Sequence, residues 1–293
     1  MSSWPAGWTE EHLEDFLAEV GRQILTSGWS PEDARGCVRL DMEVCPADGV
    51  GGLVQAGACR VGARVPDPVR LGDTASYLDH TLLRPDATVE EIDTICSEAI
   101  EHRFASVCVN GSWVPRCAEI LAGSGVMVCS VIGFPLGTMA TEVKTYEARR
   151  AIEDGANEID MVLHVGALKG GDHEYVRRDI EAVASLCHRL GARLKVILET
   201  ALLTDEEKVV ACRLSSAAGA DFVKTSTGFS KGGATVADIE LMRRVVGPVM
   251  GVKASGGVRD ASGAAEMIAA GATRIGASAS VEIVRGGSGS GEY

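Results

Sequence analysis

What this chain does not contain narrows its function before anything it does contain. No apolar run reaches the ~18 residues that a membrane-spanning helix needs. No Lys/Arg cluster stands out: with 28 Lys and Arg against 41 Asp and Glu, the formal net charge of the 293 residues is −13. That balance argues against nucleic acid or an anionic membrane as the main partner, because both are bound through clustered positive charge. The six histidines (His12, His80, His102, His164, His173 and His188) are scattered, so no imidazole cluster for a metal is legible. Nine cysteines are present (Cys37, Cys45, Cys59, Cys96, Cys108, Cys117, Cys129, Cys187 and Cys212), but the count is odd and no C-x-x-C pair occurs. Reduced thiols packed as small hydrophobes are the expectation, rather than a disulfide framework or a zinc site. The opening Met-Ser-Ser-Trp-Pro-Ala-Gly-Trp has neither the basic nor the apolar segment of a secretory signal. The expected protein is therefore soluble and cytoplasmic.

What is present divides into three stretches. Residues 1–72 read as a partly helical, partly irregular extension. Leu13, Phe16, Leu17 and Val20 follow helical spacing, Ser30-Pro31 can start a second short helix, and residues 46–72 are rich in Gly, Ala and Pro. The spacing of Cys37, Cys45 and Cys59 matches no standard metal site. Residues 73–285 are regular: eight short β-type runs alternate with amphipathic helical stretches. The runs are 77–83, 106–110, 126–133, 158–164, 194–200, 222–227, 249–255 and 274–278. Thr88-Val-Glu-Glu91 and Thr204-Asp-Glu-Glu207 are capping boxes, and Thr235-Val-Ala-Asp238 has the related form. Gly155-Ala156, Gly191-Ala192, Gly219-Ala220 and Gly271-Ala272 end helices before the next strand. Eight such units predict a closed (β/α)8 barrel, the TIM-barrel architecture, in preference to an open dinucleotide-binding sheet, since no G-x-G-x-x-G follows the first run. Residues 286–293 form a Gly/Ser tail ending in Tyr293.

Two lysines carry the functional signal. Lys224 in Phe222-Val-Lys-Thr-Ser-Thr-Gly228 and Lys253 in Gly251-Val-Lys-Ala-Ser-Gly-Gly-Val-Arg259 each interrupt an apolar run just before a polar turn. Lysine is seldom buried, and the C-terminal ends of barrel strands are where such folds hold their catalytic groups. Two convergent ammonium groups are expected to depress each other's pKa, leaving one free amine able to attack a carbonyl. Asp160, flanked by apolar residues in Glu158-Ile-Asp-Met-Val162, needs a cationic partner, and the two lysines are the candidates. Asp79, Thr81, Cys108 and Asn110 close the first two runs. Gly228, Gly256-Gly257-Val258-Arg259 and Gly276-Ala277-Ser278 supply Gly-rich turns where barrels of this kind hold phosphate.

These residues together resemble the 2-deoxyribose-5-phosphate aldolase family of class I, Schiff-base aldolases. The similarity also includes Leu78-Asp-His-Thr-Leu-Leu-Arg-Pro85, Gly133-Phe-Pro-Leu-Gly-Thr138 and Leu198-Glu-Thr200; it spans roughly residues 76–285 and not the extension. The resemblance implies Lys224 as the Schiff-base lysine, Lys253 as the cation that tunes it, and Asp160 as the acid/base carboxylate working with a water. It implies Asp79, Thr81, Cys108 and Thr227 near the substrate, and Gly228, Gly256, Gly257, Arg259, Gly276 and Ser278 around its phosphate. Where a second hydroxyl often follows that serine this chain has Ala279, which implies a slightly weaker grip. Tyr293 resembles the mobile terminal tyrosine of some relatives and is expected to assist proton transfer. The implied partners are a sugar phosphate and acetaldehyde, with no metal and no cofactor; a homodimer is compatible with the resemblance. The alternatives left open are another Schiff-base barrel releasing pyruvate, a catalytically silent sugar-phosphate sensor, and a docking role for residues 1–72.

Overall fold

The computed structural model describes residues 71–287. The expectations for residues 1–70, including the helical spacing around Leu13 and the cysteines 37, 45 and 59, lie outside the described residues, as does Tyr293. A 3-10 turn, Leu71–Tyr77, leads into the first strand. The strands are β1 (Leu78–Leu82), β2 (Ser106–Asn110), β3 (Met127–Ile132), β4 (Glu158–Val162), β5 (Arg193–Ile197), β6 (Phe222–Lys224), β7 (Gly251–Ser255) and β8 (Arg274–Ala277). They pair in parallel, each with the next, and β8 returns to β1 through Leu78–Ile275, Asp79–Gly276 and His80–Ala277. The result is the closed eight-stranded ring that the alternating sequence pattern predicts. Outside it run α1 (Val89–His102), α2 (Val114–Ile120), α3 (Thr141–Glu153), α4 (Val165–Lys169), α5 (His173–Arg189), α6 (Asp205–Ala217), α7 (Val236–Val246), α8 (Ala261–Ala269) and α9 (Ser280–Arg285). No described helix is long and apolar enough to cross a membrane.

The local signals act as expected. Both capping boxes form, at Thr88 with Glu91 and at Thr204 with Glu207, and the Thr235 side chain accepts from the Asp238 N–H. Each of the four Gly-Ala turns places its glycine at positive φ. The following alanine N–H donates to the carbonyl five residues back, from Ala156 to Ala151, Ala192 to Cys187, Ala220 to Ser215 and Ala272 to Met267, at 2.8–3.0 Å. This is the Schellman closure, which reverses the chain from a helix end into the next strand.

The strands β5 and β6 fall furthest short of the runs read from the sequence, ending at Ile197 and Lys224. After β5, Glu199 takes a left-handed conformation, φ 58° and ψ 61°, and turns the chain into a short 3-10 segment. After β6, the Thr225 side chain replaces the regular ladder: its Oγ1 donates to the Ser255 carbonyl at 2.9 Å and accepts from the Ser255 N–H at 3.0 Å. In both places the polar residues that end the run satisfy the backbone locally and free the chain to form the barrel rim.

The apolar core lies between strands and helices, where Ile159, Met161, Val196, Val223, Val252 and Ile275 are fully buried. Because side chains alternate along a strand, their neighbours point into the ring. That interior holds Asp79, Glu158, Asp160, Lys195, Lys224, Lys253 and Arg274, all buried.

Candidate active site

Asp160 is the hub. Its Oδ1 accepts from Lys195 Nζ at 2.7 Å, and its Oδ2 accepts from both Lys224 Nζ and Lys253 Nζ at 2.8 Å. The two lysines picked out in the sequence therefore converge on one oxygen atom. Register explains the convergence: Lys224 lies directly beside Lys253 across β6 and β7, and Asp160 lies beside Lys195 across β4 and β5. Below this group the Asp79 carboxylate binds Lys253 through Oδ2 at 2.6 Å, and Arg274 and the Ser106 hydroxyl through Oδ1, both at 2.6 Å. Glu158 binds Lys195 at 2.8 Å and Arg274 at 3.0 Å.

Four buried cations thus face three buried carboxylates, so with every cation protonated and every carboxyl ionised the set carries one excess positive charge. Its distribution is uneven. Burial disfavours the charge on Lys253, but Asp160 and Asp79 outweigh this and hold its ammonium well above the ordinary lysine range. Lys195 is likewise raised: burial opposes it, and Asp160 and Glu158 overcome the penalty. The mutual depression expected from two convergent ammonium groups therefore does not hold for Lys253, because Asp160 and Asp79 outweigh its burial. Burial alone would raise the three carboxyls; the surrounding cations more than reverse this and hold Asp79, Glu158 and Asp160 low. Lys224 has a single carboxylate contact, and it shares that oxygen with Lys253.

Space is arranged around Lys253 as well. Gly276 sits within β8, where a Cβ would come 3.0 Å from Lys253 Cε and 2.4 Å from Ser255 Oγ. Its missing side chain makes room for the lysine stem. Gly256 and Gly257 are both left-handed, at φ 84° and 82°. Gly256 abuts Gly233 of the preceding rim loop so closely that a Cβ there would meet the Gly233 Cα at 3.0 Å.

Around the rim, Thr227 Oγ1 donates to Glu199 Oε2 at 2.5 Å and accepts from the Phe229 N–H at 3.1 Å, fixing the turn that carries Gly228. Buried oxygens of Glu199 (Oε1), Thr200, Ser226 and Ser255 have no hydrogen-bond partner among the described residues. They gather at the C-terminal ends of β5, β6 and β7, and buried polar atoms without partners are rare in folded proteins. Thr81 is buried in β1 with its hydroxyl donating to the Asp79 carbonyl at 2.8 Å. Cys108 is buried in β2, beside Cys129 of β3. Arg259 and Gly257 are exposed and Ser278 is half-buried at the rim. His164 accepts the Ala167 N–H at 3.1 Å as the N-cap of α4, and its ring meets Tyr175 edge-on. It is a structural residue.

Lys195, Glu158, Arg274 and Cys129 were not singled out in the sequence. Lys195 carries the same signal as the other two lysines, a cation interrupting the apolar run Leu194-Lys-Val-Ile. Glu158 stands two residues before Asp160, hence on the same side of one strand.

A buried amine cluster around one carboxylate at the catalytic end of a (β/α)8 barrel defines an enzyme equipped for carbonyl chemistry through lysine. Residues 74–289 match the model of the DeoC/LacD family of aldolases, and the chain belongs to that family. It is 65% identical over 210 residues to the deoxyribose-phosphate aldolase of Brevibacillus brevis, covering 72% of this chain and 94% of that one. It is 60% identical over 218 residues to that of Streptococcus gordonii, with 74% and 98% covered. Among solved structures, the tetrameric deoxyribose phosphate aldolase of Aeropyrum pernix superposes with a TM-score of 0.70 at 37% identity, over 74% of this chain and 91% of that one.

Proposed function

We propose that the chain cleaves 2-deoxy-D-ribose 5-phosphate, reversibly, to D-glyceraldehyde 3-phosphate and acetaldehyde through a Schiff base on Lys224. The observation that carries this reading is the meeting of Lys224 and Lys253 on Asp160 Oδ2. Lys253 is held as a cation by Asp160 and Asp79, and Lys195 by Asp160 and Glu158. Lys224, which meets fewer carboxylates than either neighbour, is assigned as the nucleophile.

The free amine of Lys224 adds to the aldehyde carbon of the open-chain sugar, and loss of water leaves an iminium. A base removes the proton of the 3-hydroxyl, assigned to Asp160 acting through a water. The bond between carbons 2 and 3 then breaks, its electron pair passing into the iminium to give an enamine, and glyceraldehyde 3-phosphate departs. Protonation at carbon 2 and hydrolysis release acetaldehyde and regenerate the amine. Lys253 keeps a positive charge beside the developing iminium without joining the covalent path. The sugar's hydroxyls are assigned to the unpartnered oxygens of Ser226, Ser255 and Glu199. The phosphate is assigned to the turns bearing Gly228, Gly256, Gly257 and Ser278, with Arg259 adding charge at the rim. Tyr293 is retained as a proton-transfer candidate, tested by its deletion. A cytoplasmic location and a homodimer complete the reading.

The test is product identity. Incubation with deoxyribose 5-phosphate should release acetaldehyde and glyceraldehyde 3-phosphate in equal amounts, and Lys224→Arg should abolish both. Release of pyruvate from a 2-keto-3-deoxy sugar acid, with no turnover of deoxyribose 5-phosphate, would overturn the assignment.

A further inference from the structure

Two thiols beside the reacting group remain unused by this chemistry. Cys108 and Cys129 are paired across β2 and β3, and both are fully buried. Cys129 Sγ lies 3.2 Å from Asp160 Oδ1 and 3.2 Å from Lys195 Nζ. One donor atom each from Cys108, Cys129 and Asp160 fall within 4.8 Å of one another. Ligands at ~2.3 Å (sulfur) and ~2.0 Å (oxygen) from a tetrahedral zinc stand about 3.5–3.8 Å apart, so the three donors need to shift little to share an ion. Leu83, Val131 and Phe134 wall the thiols on one side, giving a soft-donor site a dry lining.

We propose that Cys108, Cys129 and Asp160 form a binding site for a thiophilic divalent cation, zinc in particular, and that its occupation switches off the lysine chemistry. The exchange conserves charge inside the barrel. The ion brings two positive charges, the two thiols release two protons to solvent, and the cluster of four cations and three carboxylates keeps its net charge. Asp160 becomes a metal ligand through Oδ1, the oxygen beside Cys129 Sγ, in place of its bond to Lys195, and is lost as the base of the lysine chemistry. Two sulfurs and one carboxylate complete three positions of a tetrahedron, with water in the fourth. The molecule carries its own comparison: Cys96 of α1 and Cys117 of α2 also form a buried thiol–thiol contact, but no third donor joins them in such a cluster among the described residues.

Cobalt(II) is the probe, because thiolate ligation gives it a charge-transfer absorption that is independent of turnover. The reduced full-length protein should bind one cobalt per chain with that absorption, and zinc should abolish it by displacement. The signal should vanish in Cys108→Ala and Cys129→Ala and persist in Cys96→Ala and in the triple replacement of Cys37, Cys45 and Cys59 by Ser. In parallel, zinc should inhibit aldol cleavage, with an inhibition constant raised about 100-fold or more in Cys129→Ala, measured against that variant's own metal-free rate. Cys129→Ser serves if the alanine variant does not fold. A thiolate absorption that survives both Cys108→Ala and Cys129→Ala, or none in the wild type at millimolar cobalt, would overturn the proposal. The absorption stands or falls whatever the substrate proves to be, so its failure is distinct from failure of the assigned reaction.

Discussion

Replacing Gly276 by alanine tests how tightly the site positions Lys253. The glycine lies in β8 with an ordinary φ, so the added methyl costs nothing in backbone conformation; its effect is steric. A Cβ would stand 2.4 Å from Ser255 Oγ and 3.0 Å from Lys253 Cε. The hydroxyl has no partner among the described residues and can rotate away. The lysine stem cannot yield so easily, because its ammonium is held by Asp79 at 2.6 Å and Asp160 at 2.8 Å. Overpacking of this kind costs about 1–3 kcal/mol, and at roughly 2–4 °C per kcal/mol for a domain of this size Tm should fall by about 2–12 °C. The larger effect is on rate. A displacement approaching 1 Å near reacting groups costs on the order of 100-fold, so a shift of a few tenths should lower kcat/KM about 10-fold or more. Acetaldehyde release with deoxyribose 5-phosphate measures the rate, and thermal unfolding followed by circular dichroism measures the stability. A normal kcat/KM in Gly276→Ala, with Tm lowered, would show that Lys253 does not need its present position.

Three other outcomes follow from the same geometry. Asp160→Asn leaves Lys195, Lys224 and Lys253 around a neutral amide; it should lower kcat by about 10²–10⁴-fold and cost about 3–5 kcal/mol in urea unfolding, and loss of neither would contradict its place as hub. Lys144, buried in α3, binds Asp179 at 2.6 Å and the Val162 carbonyl at 3.1 Å; Lys144→Met strands the Asp179 carboxylate and should cost about 3–5 kcal/mol, whereas a loss below about 1 kcal/mol would mean the pair contributes nothing net. Stability should also depend on pH with a definite sign: Asp79, Glu158 and Asp160 are held below ordinary carboxyl values, so their contribution is complete above the unfolded values of about 4 and is lost as pH falls through their lower folded values. The raised Lys253 and Lys195 contribute fully below their unfolded value of about 10.4, so the urea midpoint should hold between about pH 5 and 9 and drop on acidification; a midpoint that rises below pH 4 would contradict the assignment.

Much of this was legible in the sequence because local rules and global fold agree. The capping boxes at Thr88 and Thr204 and the four Gly-Ala turns each specify an element end with a known mechanism, and eight repeats of one unit leave few ways to close. Lys224, Lys253 and Asp160 stood out because a charge inside an apolar run demands an explanation. Lys195 met the same criterion, but it stands near the start of the run read as 194–200, away from the end where barrels hold catalytic groups, and only the pairing of β4 with β5 brings it level with Asp160. Arg274 begins β8, where a cation reads as a solvent-exposed strand end; its burial follows from Asp79 and Glu158, which come from strands distant in the chain. The early ends of β5 and β6 depend on a left-handed Glu199 and on the Thr225 side chain replacing ladder bonds, and neither is visible in residue spacing. Gly276 reads as part of a phosphate turn, and the room its missing side chain leaves for a lysine on the neighbouring strand appears only in the folded molecule.

The central claim is that one buried amine, and not its two neighbours, bonds to the aldehyde. Incubation with acetaldehyde and borohydride, followed by peptide mapping, tests it most directly. The account predicts a single ethyl group on Lys224, absent after Lys224→Arg. An adduct on Lys195 or Lys253, or an unmodified chain, would contradict it.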